Sequence, residues 1–137
     1  MTDTPSGEPA EVGTVQLDSG RWGWVAVSDP GGWRIYFRHH AKPRDEMLAW
    51  MSGSVLKQAD VEEAARTPLH RLWEDGSGEL WRISLEIAAL PLRRRGLFRE
   101  TMLIVFRAGG LRVEAPVPGE PPIGEFTDAQ LASLLDR

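Results

Sequence analysis

Glu79–Ala88, ELWRISLEIA, is the stretch that decides the fold class. Trp81, Ile83, Leu85 and Ile87 share one parity, and Arg82, Ser84 and Glu86 share the other. Side chains on a strand alternate between two faces, so this pattern predicts a strand with one apolar and one polar face. Leu80, Ile83, Ile87 and Leu90 also fit a helical spacing. A helix would scatter Trp81, Leu85 and Ala88 around its circumference, so the strand is preferred. Its Trp81/Ile83/Leu85/Ile87 face should line the core, and its Arg82/Ser84/Glu86 face should be wet.

Downstream, Pro91 ends this strand, and Arg99–Arg107 reads as the next. The core of that strand, Met102–Phe106, is apolar on both parities and needs cover on both faces. Gly109-Gly110 then turns the chain into Leu111–Val117. Upstream, Asp75-Gly76-Ser77-Gly78 is a hairpin signal joining Leu69–Asp75 to the opening strand. Nearer the start, Val12–Leu17, Trp22–Val27 and Trp33–Arg38 read as three more strands. Asp18-Ser19-Gly20 and Asp29-Pro30-Gly31-Gly32 separate them, residue types that accept turn geometry.

The strand period breaks between His39 and Thr67. Pro43 is placed to open a short helical turn carrying Met47, Leu48, Trp50 and Met51, with Gly53 ending it; the alternative is an extended flap. Asp60 reads as an N-cap with Glu63 at N3, opening a helix to about Arg66 that Pro68 stops. Near the C-terminus Thr127 and Gln130 form a capping box, and Phe126 and Leu131 form the matching hydrophobic staple. The apolar stripe Leu131, Leu134, Leu135 should lie on Met102–Phe106.

The expected fold is mainly β: about seven antiparallel strands in a small barrel or sandwich, with a helical insertion over about 43–66 and a capping helix over about 128–136. In element order alone, seven strands followed by a helix resembles the pleckstrin-homology-like barrel. Residues 1–11 read as a disordered acidic tail and 12–137 as one β-rich domain. No internal repeat is visible.

The chain has 137 residues, a net charge of −4 and no cysteine. The last point excludes disulfides, thiolate catalysis and cysteine-ligated metal. Asp3, Glu8 and Glu11 carry three of the twenty acidic charges, so the remainder is nearly neutral and gives no global reason to expect nucleic acid. The start, MTDTPSGEPAE, lacks the apolar run of a secretory signal, and no run is long enough to span a bilayer. A cytoplasmic protein is expected.

Candidate chemistry is sparse. His39-His40, with Asp45, Glu46 and His70, is the one metal-like grouping, but adjacent side chains in an extended segment point apart, so no metal site is expected. Arg93, Arg94, Arg95 and Arg99 could grip an anion through charge-assisted bonds. Arg95-x-x-x-Arg99 also resembles the first half of the cyclic-dinucleotide-binding PilZ motif, whose Asp/Asn-x-Ser-x-x-Gly half is missing, so that role is not carried over. Met47, Trp50 and Met51 form an adaptable cluster of a kind used at binding surfaces, or else a plug over the fold. Nucleophile-elbow, P-loop and dinucleotide-binding signatures are absent. The resulting expectation is a non-catalytic small β-barrel without cofactor that binds another protein or itself. The alternatives are a barrel holding a small apolar or aromatic ligand, or an anion or nucleic-acid binder using the Arg93–Arg99 loop.

Overall fold

The computed structural model describes residues 10–91, 98–117 and 121–136. The chain forms one antiparallel sheet of eight strands in sequence order. These are β1 (Ala10–Leu17), β2 (Gly20–Asp29), β3 (Gly32–His39), β4 (Glu46–Ser52), β5 (His70–Glu74), β6 (Leu80–Pro91), β7 (Phe98–Ala108) and β8 (Leu111–Val117). Helix α1 (Gln58–Arg66) joins β4 to β5, and α2 (Asp128–Leu135) closes the chain. No ladder joins β8 to β1 among the described residues, so the sheet is open. The expected tail falls outside the described residues except for Ala10 and Glu11, which begin β1.

The eighth strand is β4, where a helical turn was expected. Met47, Leu48, Ala49 and Met51 are good helix formers, but Glu46–Ser52 pairs residue for residue with Arg38–Gly32 of β3. The hairpin is closed by His39 N–H donating to the Asp45 carbonyl at 3.1 Å and by the Arg38–Glu46 ion pair at 2.9 Å. Tertiary pairing here overrides local propensity.

Two consecutive ββββα units compose the sheet. The first, β1–β4 with α1, buries Trp22, Trp24, Trp33, Ile35, Phe37 and Met47 with Val61 and Ala65 of the helix. The second, β5–β8 with α2, buries Trp73, Trp81, Ile83, Ile104 and Phe106 with Leu131. Both helices start the same way. Leu56 precedes the α1 cap Lys57 and Phe126 precedes the α2 cap Thr127; Val61 and Leu131, four residues into each helix, are fully buried. These are two hydrophobic staples, each closing its own core. The α1 staple moves the start upstream of the expected Asp60: Lys57 is the cap, without a side-chain bond, and Asp60 lies in the first turn. The α2 capping box forms as read from the sequence, Thr127 accepting from Gln130 N–H and the Gln130 side chain accepting from Thr127 N–H.

On β6, Trp81 and Ile83 line the core and Leu85 packs against it, but Ile87 is 67% exposed. Strand β5 ends its pairing at Ser84, whereas the β6–β7 ladder continues to Pro91, so Ile87 stands on a hairpin arm beyond the core. On β7, Ile104 and Phe106 pack in the cluster that holds Leu131, as the sequence requires. Val105, on the opposite face, is also fully buried. Its cross-strand neighbours are Ser84 and Glu114, and the ion pairs Arg107–Glu86, Arg112–Glu86 and Arg112–Glu114 run beside it. Arginine stems of this kind shield an apolar side chain while their charged heads stay wet.

Candidate functional site

The seam between the two units is narrow, because β4 and β5 pair over only Glu46–Leu48 and Leu72–His70. A buried polar cluster reinforces it. Arg71, fully buried, donates from Nη1 to the carbonyls of Ile123 and Phe126, both at 2.8 Å, and its guanidinium stands 5.5 Å from the Trp22 ring. Burial pushes it down to about 10, against the opposing pull of Asp45 and Asp128, so it stays charged at neutral pH. Asp45, also fully buried, accepts from Glu74 N–H at 2.9 Å, and its Oδ2 lies 3.4 Å from Lys42 Nζ. Desolvation raises its pKa although the Glu74 hydrogen bond, Lys42 and Arg71 pull it down.

Lys42 reaches the Glu74 carbonyl at 2.7 Å and Asp128 at 3.2 Å, and Trp73 Nε1–H donates to the same Asp128 carboxylate. This is a clasp. It pins residues 121–128 across both cores, and further bonds from Ser19 to the Gly124 carbonyl and from Asp18 N–H to Glu125 tie the β1–β2 turn to it. His39 belongs to the same scaffold. Its Nδ1 accepts from Ala41 and Lys42 N–H, and its Nε2 lies 2.9 Å from the Ser19 carbonyl, which leaves neither nitrogen for a metal. Among the described residues no group of three His, Asp or Glu side chains is placed to hold a metal ion.

The outer face of the sheet presents different chemistry. Register places Val12, Val25, Tyr36, Leu48, His70, Ser84, Val105 and Glu114 in one row crossing all eight strands. Within the first unit that row is apolar and open: Val12 is 73%, Val25 42% and Tyr36 44% exposed, and Trp50 beside them is 45% exposed. Trp50 sits opposite Arg34, its ring edge 2.8 Å from where a Cβ on Gly32 would lie. Arg34 pairs with Asp29 at 3.1 Å and donates to the Tyr36 hydroxyl at 3.2 Å. Strand alternation separates the expected Met47/Trp50/Met51 cluster. Trp50 faces out, while Met47 is buried and Met51 packs against the core.

Beside this row lies an open groove of about 910 Å³. Gly23 contributes bare backbone, and Thr14, Val25, Tyr36, Arg38, His40, Pro43 and Glu46 are among the residues around it. Trp24 and Gly13 also line it. They face the other way: the Trp24 indole packs over Gly13 on the core side of the sheet, its Nε1 2.9 Å from where a Cβ on Gly13 would lie.

Of the expected arginine cluster, Arg93, Arg94 and Arg95 lie outside the described residues, and Arg99 is placed only by its backbone in β7. The outer row and the groove were not visible as a site in the sequence. Arg34, Tyr36 and Arg38 read as a wet strand face, but nothing local says that Val12, Val25 and Tyr36 become neighbours. No helix among the described residues is long and apolar enough to cross a membrane. Comparison with protein-family models, with curated proteins and with solved structures returned no match.

Proposed function

We propose that the protein is a non-catalytic interaction module that docks a second copy of itself through the outer face of β1–β4. The observation that carries this reading is the exposed row Val12, Val25 and Tyr36 with Trp50 alongside, large apolar side chains gathered on neighbouring strands rather than scattered. Aromatic residues in such a patch are the usual anchors of protein interfaces. Charge supports self-docking. The row is flanked by Arg34–Asp29 and Arg38–Glu46, each a neutralised pair, so a two-fold copy meets no net like charge.

Sedimentation of the full chain across the micromolar range tests the proposal. A concentration-dependent dimer is expected, together with a shift to monomer in Trp50→Ala and a larger shift in Trp50→Ala/Tyr36→Ala. A wild-type chain that stays monomeric throughout, or a dimer that survives both variants, overturns it. Loss of Trp50 should weaken the dimer by roughly 2 kcal/mol, the scale of an interface hot spot.

A further inference from the structure

We infer that the protein's own N-terminal residues 2–9 lie across the exposed row of β1–β4 and compete with the second copy for it. The inference rests on the self-docking reading and adds its regulation, a masking segment carried by the same chain. Where that segment enters the sheet is the first observation. The β1–β2 ladder begins at Ala10↔Val27, although β2 and β3 stay paired out to Asp29↔Gly32. The Thr14 carbonyl accepts from Gln58 rather than from β2, so the odd-numbered residues of β1 are those whose backbone faces β2. Pro9 falls on that parity and has no N–H with which to extend the ladder to Ser28. Register sets Ala10 in one row with Val27, Arg34 and Trp50. Residues 2–9 therefore join the fold at one end of the line that leads to Trp50. Fully extended they reach about 26 Å, whereas the three strand spacings from β1 to β4 measure only about 14 Å.

The two faces of the sheet offer this segment different surfaces. On the core side, Val61 and Ala65 of α1, with Leu56 before it, already close the first core. On the outer side Val12, Val25, Tyr36 and Trp50 are exposed. The sequence of the segment, TDTPSGEP, matches that outer face: it brings two prolines, two carboxylates and no cation. Prolines in an extended chain dock on exposed aromatic rings, here Tyr36 and Trp50. Strand parity puts Arg21, Arg34 and Arg38 on the outer face of β2 and β3, against Asp29 and Glu46 on that face of β2 and β4. One positive charge is in excess there, and Asp3 and Glu8 complement it. Tethered at Ala10, the segment acts at about millimolar effective concentration, so a weak contact covers the row for about half of the time. Both copies must clear their rows to dock, and half-occupancy on each weakens the dimer about fourfold.

The test compares the full chain with one lacking residues 2–9. Sedimentation should show the dimer about fourfold tighter in the shortened chain, and a synthetic peptide of residues 1–9 at millimolar concentration should reverse the gain. NMR at dilutions where both chains are monomeric should show the Tyr36 amide and the Trp50 indole N–H shifting when the segment is removed. Asp3→Asn/Glu8→Gln keeps the length, leaves β1 untouched and should move the same signals part of the way. Shifts confined to Ala10–Val12 and the facing Val25–Val27, or a dimer of unchanged affinity, overturn the inference. Shifts at Tyr36 and Trp50 in chains that never dimerise would instead sink the self-docking reading alone, because the segment's contact with the row is read in the monomer.

Discussion

Among the described residues, Arg71 and Asp45 are the two charged side chains placed where water does not reach, and they respond to change in different ways. Arg71→Met would leave the Ile123 and Phe126 carbonyls without their donor and remove one of the two cations that offset Asp45. Breaking a buried ionic group in this manner costs about 3–5 kcal/mol, to be read as a fall in the urea midpoint. Asp45 adds a pH dependence. Its folded pKa lies above the usual 3.8, so its contribution to stability is fully present below that value and is lost as pH rises through the folded pKa. Asp45→Asn removes the titration. The variant should therefore gain on wild type as pH rises through that window, and a difference that stays flat would contradict the assignment. Asp75 has the opposite sign. Hydrogen bonds from Trp81, Ser77 and Glu79 hold its pKa down to about 2, so its stabilisation is lost as pH falls from 3.8 toward that value.

Among the elements, residues 121–128 behave as a strap, and its backbone is the critical part. Gly124 N–H donates to the Arg66 carbonyl at 2.9 Å, and a Cβ at this position would run into the Ala65 carbonyl oxygen at the end of α1. Because that obstacle is backbone, Gly124→Ala should lift the strap and destabilise by about 2–3 kcal/mol, measured by urea unfolding. Thr127→Ala loses only the α2 cap and should cost about 1 kcal/mol. If the two substitutions proved equal, the strap would be no more than a connection. Gly20 is a second special position, held at φ +130° with His39 packed where a side chain would stand. The β1–β2 turn thereby locks onto the ring that organises the β3–β4 loop.

At the scale of the molecule, two cores share one sheet through a three-residue ladder, and the strap bridges both. Unfolding of the wild type should therefore be a single transition by circular dichroism and by tryptophan fluorescence. Gly124→Ala should separate the two probes, with amide protection in β5–β8 lost before that in β1–β3. A single transition in the variant would show that the ladder alone couples the units. The pattern of buried and open faces has a functional corollary. The inner face is occupied by helices and tryptophans, and the outer face of the first unit carries the exposed row with the groove beside it.

Alternation and turn chemistry determined seven of the eight strands, both helices and the burial of Trp81 and Ile83, because these depend on neighbours in sequence. The α2 capping box and its staple were legible for the same reason. Tertiary structure decided the rest. Glu46–Ser52 is a strand because β3 offers it a ladder, against its own helical preference. Ile87 is wet because β5 stops short of it, a fact of register that no local pattern contains. The site follows the same rule: Val12, Val25 and Tyr36 are separated by more than ten residues in the chain and become one row only when the strands are set in register. The duplicated ββββα plan was likewise invisible, since what the two units share is topology and a pair of staples rather than sequence. Strand faces are written by local alternation, whereas which faces meet is fixed only by pairing across the sheet.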